Sequence, residues 1–255
     1  RNGIVEQTRR HSFIASLLGI PHIVYAINKM DLVDYSEKAF DEIQDELEDF
    51  ASKLEVHDVR FVPISALHGD NVVERSEKMK WYDGPTLLYT LETVHISGDH
   101  NHIDCRFPVQ CVIRPQKTEF HDFRGYAGRI AGGVFKPGDD VMVLPSGFAS
   151  KVKTITTMDG ELEEAFAPMS VTIRVGDDID ISCRAMIVRE NNKPEVEQDI
   201  DMMVCWLNKK PLVPNGKYAL KHTTKDVRCI VKDIQYKIDI NTLHRLEEDK
   251  SIGMN

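Results

Sequence analysis

The sequence predicts an α/β segment followed by two antiparallel β-barrel modules, and three observations predict it. Helical and strand patterns alternate over residues 1–95, the grammar of an α/β layer. From about Arg106 the pattern turns to short strands interrupted by Gly and Pro-Gly turns. Two polar stretches without apolar periodicity, "HISGDHNHID" and "RENNKPEVEQ", mark boundaries. The expected modules are therefore 1–95, 102–189 and 195–255, the last expected to be incomplete at Asn255.

Within the first module a polar start leads into "FIASLLGI" and the strand "HIVYAI". A long helix follows: Asp34 and Glu37 have capping-box spacing, and Phe40, Ile43, Leu47, Phe50 and Leu54 recur at intervals of three and four. One face is expected to be buried and the acidic face solvated. A second strand, "VRFVPI", precedes "GPTLLYTLETV", a helix expected to begin at Gly84 and Pro85, where a missing N–H costs nothing. In the second module "RFPVQCVIRP" alternates, and "GYAGRIAGGVFKPGDDVMVLPSG" breaks its strands at turns. In the third, "IDMMVCWL", "KYALKHTT" and "RCIVKDIQYKIDI" are expected strands.

Composition bounds the function. With 255 residues, 42% hydrophobic and 29% charged, the chain has the balance of a folded globular protein. A formal charge of -9 disfavours nucleic acid and anionic lipid as partners. Five cysteines, widely spaced and without a CxxC pair, suggest reduced thiols in a cytoplasmic protein rather than a zinc site or a disulfide framework. No apolar run reaches the roughly 20 residues that span a bilayer, so no membrane association is expected. The opening "RNGIVEQTRRH" reads as the interior of a longer chain.

The candidate site follows the first strand: "IVYAINKMDLVD" ends in Asn28, Lys29 and Asp31. In an open α/β sheet, ligands collect where strands end, so these residues are placed to touch one. A guanine edge presents a ring N–H and an exocyclic amine side by side, and the Asp31 carboxylate can accept both. A base lacking that pair would leave the carboxylate desolvated and unpaired. Ser65 and Ala66, in "SAL" after the second strand, are positioned to offer a backbone N–H to the guanine carbonyl oxygen. NKxD arises by chance in about one chain in thirty of this length, so the weight lies in the strand before it, the helix after it and the Ser-Ala of the next loop.

"NKMD" followed by "SAL" resembles the base-recognition pair of the translation-factor class of P-loop GTPases, and two β modules after a nucleotide domain resemble elongation factor Tu. The longer stretches "QTRRHSFIASLLGI", "DVRFVPISALHGDNVVERSE", "WYDGPTLLYTLETV", "GDDVMVLPSG", "EEAFAPMSVTI" and "DDIDISCRAMIV" resemble the GTPase subunit of bacterial sulfate adenylyltransferases, in order along most of the chain. That resemblance implies a heterodimer: this subunit binds and hydrolyses GTP, and a smaller catalytic subunit transfers AMP from ATP to sulfate, giving adenosine 5′-phosphosulfate and pyrophosphate. It implies that Asn28, Lys29, Asp31, Ser65 and Ala66 hold the guanine, with Asn28 bracing backbone and the Lys29 stem over the base. An elongation-factor-like protein binding aminoacyl RNA is the alternative, and a β-rich interaction module with a vestigial base pocket a third.

The pattern is incomplete. No GxxxxGK[ST] loop is present, and "GRIAGG" lacks the lysine and reads as barrel turns. The phosphate loop and the Mg²⁺ ligands are expected upstream of Arg1, and no catalytic residue is assigned. His95, His100, His102 and Cys105 match no closed zinc spacing. Lys217, Lys221, His222 and Lys225 read as a solvated strand face or a contact for an acidic partner. Arg9 to His11 could meet a partner or the acidic helix, and Trp81 and Tyr82 are expected to anchor the helix that follows them.

Overall fold

The computed structural model describes residues 4–96, 98–115, 123–247 and 251–253; Arg1–Gly3, part of the opening read as the interior of a longer chain, and Ser97 of the first connector lie outside them. The chain divides into two compact units: residues up to 96 with 202–214 and those from 232, and residues 97–201 with 215–231.

In the first unit, helix α1 (Glu6–Leu17) precedes strand β1 (His22–Ile27), a 3-10 turn (Met30–Val33), helix α2 (Glu37–Ala51), strand β2 (Asp58–Pro63) and helix α3 (Leu87–Thr93). β1 and β2 pair in parallel, with Ile27 opposite Pro63, so both strands end on one rim. α2 buries Phe40, Leu47, Phe50 and Ala51 and turns its Glu and Asp residues outward. Its cap differs from the expected one. Asp34 and Tyr35 both have positive φ (51° and 56°), so the chain is still turning there, and the Ser36 hydroxyl instead accepts the Ala39 N–H at 3.4 Å. Likewise Thr86 caps α3 by accepting from Tyr89, which leaves Pro85 just outside the helix. Arg9 of α1 pairs with Glu46 of α2 at 2.7 Å and lies over the Phe50 ring, so this arginine serves the acidic helix.

The second unit contains a closed barrel. Strands β3 (Arg106–Ile113), β4 (Gly125–Arg129), β5 (Val134–Phe135), β6 (Asp140–Leu144), β7 (Phe148–Thr157), β8 (Gly160–Leu162), β9 (Ala165–Phe166), β10 (Ser170–Val175) and β11 (Met186–Arg189) follow in order. The antiparallel sheet runs β10-β4-β3-β11-β6-β7-β8, and β10 also pairs with β7, which closes the ring; β5 and β9 form a separate short ladder. Phe107, Tyr126, Ile155, Ile173 and Ile187 fill the interior at zero exposure. The glycines of "GRIAGG" serve close backbone approach here: Gly133 has φ +76°, and a Cβ on it would stand 2.4 Å from the Cys105 Cα.

The remaining strands are two hairpins, β12 (Lys217–His222) with β13 (Lys225–Ile230) and β14 (Lys237–Ile238) with β15 (Arg245–Leu246). The expected strand "IDMMVCWL" does not form: residues 201–208 have no regular structure, and Ile200, Met202, Met203, Val204 and Leu207 are exposed. Its period fits a strand, but no ladder among the described residues runs beside it. No helix among the described residues is long and apolar enough to cross a membrane.

Candidate functional site

The two loops of the candidate site leave the same rim because β1 and β2 are parallel and in register. Backbone hydrogen bonds lace them together: the Ile64 N–H donates to the Ile27 carbonyl at 2.9 Å, and the Met30 N–H donates to the Ile64 carbonyl at 3.2 Å. Met30, inside the "NKMD" run, is 2% exposed and packs with Ile27, Phe40 and Met79, so the loop is nailed to the core from beneath. Its neighbours Asn28 and Lys29 are exposed, and Asp31 is half-buried.

Lys29 sits in the left-handed region (φ 70°, ψ 34°), a conformation that costs a non-glycine residue about 1 kcal/mol or more and persists where the surroundings hold it. Asn28 is part of what holds it: its Oδ1 accepts the Lys29 N–H at 2.7 Å and the Ala66 N–H at 3.0 Å. One side-chain oxygen thus braces both loops. The second cross-link is between the acid and the serine: the Ser65 hydroxyl, fully buried, donates to Asp31 Oδ1 at 2.6 Å. A carboxylate offers about four acceptor positions. One is taken, and the rest remain for a ligand with adjacent donors.

The five residues singled out in the sequence therefore converge at one rim. One detail differs from the expectation that the serine-alanine loop offers a backbone N–H outward. The Ala66 N–H already bonds Asn28, so an arriving carbonyl oxygen must share or displace that bond.

Trp81 and Tyr82, expected only to anchor the following helix, also support the site, and Asp70 is a contributor that the sequence did not single out. Trp81 Nε1–H donates to the Tyr35 carbonyl at 2.9 Å and its ring tilts against Phe40 at 5.4 Å, so the aromatic pair fastens the turn after Asp31 as well as the following helix. Tyr82 donates to the Phe61 and Pro85 carbonyls at 3.2 and 3.1 Å. Asp70 gathers donors on both oxygens: Ser76 on Oδ1 at 2.8 Å, and Tyr35 and Lys78 on Oδ2 at 2.8 and 3.3 Å. Burial pushes the Asp70 carboxyl up, but these three donors together hold it below the usual carboxylate range.

Elsewhere, His100 and His102 meet edge to face at 6.5 Å, His102 also meets Phe166, and Cys105 is buried with its thiol on the Val134 carbonyl. No group of three or more His, Cys, Asp and Glu side chains among the described residues forms a metal site. Lys217, Lys221, His222 and Lys225 are exposed on the β12–β13 hairpin.

Residues 1–104 match the family described as the elongation factor Tu GTP binding domain, and residues 199–255 match the GTP-eEF1A C-terminal domain-like family. The two matched stretches lie in order along the chain. Over nearly its whole length the chain is 50% identical, across 249 residues, to sulfate adenylyltransferase subunit 1 of Bacteroides thetaiotaomicron, covering 98% of this chain and 50% of that protein. It is 49% identical over 256 residues to the bifunctional enzyme CysN/CysC of Mycobacterium tuberculosis, covering 100% of this chain and 42% of that protein. The chain thus spans about half the length of these relatives. Among solved structures, sup35 complexed with GMPPNP aligns with a TM-score of 0.49 at 23% identity, over 98% of this chain and 62% of that one.

Proposed function

We propose that the protein carrying this chain is the GTP-binding and GTP-hydrolysing subunit of a sulfate adenylyltransferase, and that it works with a smaller catalytic subunit as a heterodimer in the cytoplasm. The observation that carries this reading is the near 50% identity, along essentially the whole chain, to relatives bearing the name sulfate adenylyltransferase subunit 1. In this reading GTP hydrolysis drives formation of adenosine 5′-phosphosulfate and pyrophosphate from ATP and sulfate.

This chain's own part is to hold the guanine. Asp31 accepts the ring N–H and the exocyclic amine on its remaining lone pairs, with Ser65 fixing the carboxylate plane. The guanine carbonyl oxygen takes the Ala66 N–H from Asn28, and the Lys29 stem covers the base. A bound Mg²⁺ would neutralise phosphate charge. The described residues bring together no ligand set for it. We further propose module limits at 1–95, 102–189 and 195–255, the GTP state of the first being read by the partner through the arrangement of the others.

The test is sulfate-dependent pyrophosphate release from ATP, with and without GTP, on the intact protein isolated with its copurifying chain. Strong stimulation by GTP is expected. GTP binding without any sulfate-dependent release would move the protein to the RNA-binding elongation factors.

A further inference from the structure

The Asp70 side chain gathers those of Tyr35, Ser76 and Lys78 beside the two base loops, and what it joins is specific. The main chain of Asp70 accepts the Ser65 N–H at 3.1 Å, so Asp70 sets the position of the serine whose hydroxyl holds Asp31. The side chain of Asp70 reaches to the other loop, where it accepts the Tyr35 hydroxyl at 2.8 Å. Tyr35 closes the turn that begins at Met30, four residues after Asp31.

That turn is strained. Asp34 and Tyr35 both have positive φ, at 51° and 56°, which costs each non-glycine residue about 1 kcal/mol or more unless its surroundings hold it. Tyr35 is held at every polar atom it has: its N–H donates to the Met30 carbonyl at 2.9 Å, its carbonyl accepts Trp81 Nε1–H at 2.9 Å, and its hydroxyl bonds Asp70. Lys78 adds a bond to the Tyr35 hydroxyl at 3.1 Å, a bond to Asp70 and a place over the Tyr35 ring at 4.9 Å. Ser76 takes the other Asp70 oxygen, and its own N–H is fixed by Asn71 Oδ1 at 2.8 Å. Asn71, 2% exposed, donates in turn to the Pro63 carbonyl at the end of β2. The Asp70 side chain is only 12% exposed, so its bonds are little screened.

From this we infer that Asp70, with Tyr35 as its arm, is a positioning residue for base selection: it clamps the Asp31 turn to the Ser65 loop at the separation and angle a guanine edge requires. The inference rests on the base-reading role proposed above for Asp31. Asp70 touches no ligand. It acts by denying Asp31 the freedom to swing, and its loss should damage discrimination between bases more than it damages the fold.

The experiment compares GTP with inosine triphosphate, which lacks only the exocyclic amine, in equilibrium binding to the intact protein. Wild type is expected to prefer GTP by about 10- to 100-fold, the worth of one charge-assisted hydrogen bond. Asp70→Asn keeps the shape and removes the charge that Lys78 and the hydroxyls share; it should weaken GTP about 10-fold and inosine triphosphate by less, so that the ratio falls by about 3- to 5-fold. Tyr35→Phe keeps the ring over Lys78 and deletes only the hydroxyl, and should give the same change at roughly half the size on a logarithmic scale. A variant that merely folds poorly lowers the binding-competent fraction for both nucleotides equally and leaves the ratio unchanged. An unchanged ratio in both variants, with wild-type preference intact, overturns the clamp alone. A wild type without preference for GTP overturns the base reading beneath it, and the clamp with it.

Discussion

Replacing Asp31 with Asn changes one oxygen for an amine at the centre of the site, and the structure allows the consequence to be worked through. Oδ1 is the atom bonded by Ser65, at 2.6 Å, and an amide oxygen in its place keeps that bond. The other oxygen becomes an NH₂ group facing a donor on guanine. One charge-assisted bond, worth about 1.5–3 kcal/mol, is lost, and the second weakens by about 1 kcal/mol as the charge disappears. A total of about 2.5–4 kcal/mol corresponds to roughly a 10²- to 10³-fold loss in GTP affinity. Xanthine carries a carbonyl where guanine carries its amine, so the new NH₂ group finds an acceptor and xanthosine triphosphate gains. Displacement of labelled GDP from the intact protein by each triphosphate measures both effects. If the GTP-to-xanthosine triphosphate ratio stays within about threefold of the wild-type value, Asp31 does not read the base and the reasoning from "NKMD" fails.

Four further outcomes are expected. Ser36→Ala removes the cap of α2, a long bond at 3.4 Å, and should cost about 0.5–1 kcal/mol in urea unfolding. Phe107→Ala empties a fully buried position beside Phe135 and should cost about 3–5 kcal/mol, lowering the melting of the barrel by more than about 10 °C in calorimetry. Arg60's hydrogen bonds hold the Asp58 carboxyl below the usual carboxylate range, outweighing the opposite push of burial, and His22 adds to them. Its stabilisation is present above the unfolded carboxylate pKa of about 3.9 and is lost as pH falls through the lower folded value, so Asp58→Asn should flatten the fall in urea midpoint between about pH 4.5 and 2.5. Limited proteolysis should cut first within 96–104 or 190–198; resistance at both would mean that the proposed module limits are wrong.

The parts of the site legible in the sequence were those that depend on local order. A strand running into Asn28, Lys29 and Asp31, with Ser65 two residues past the next strand, puts the residues on one rim because parallel strands end together. The helix cap was misread because the positive φ values of Asp34 and Tyr35 leave no mark in residue types that usually avoid them. The bonds of Asp70 to Tyr35 and Lys78, which lie 35 residues before it and eight after it, were invisible because nothing periodic links such partners. The run from Ile200 to Leu207 shows the opposite failure: its apolar content suits a strand, but a strand exists only where another lies alongside to share its hydrogen bonds.

The closure of the barrel by β10 against β7 has a consequence for how the unit comes apart. A sheet with free borders loses strands from the outside inward, each departure exposing the next. A loop of strands has no first strand to lose, and breaking any one pairing leaves the others still joined round the far side. Amide hydrogens of β3, β4, β6, β10 and β11 should therefore exchange with solvent together, through a single opening of the whole ring. Those of β8, attached along one side only, should exchange well before them.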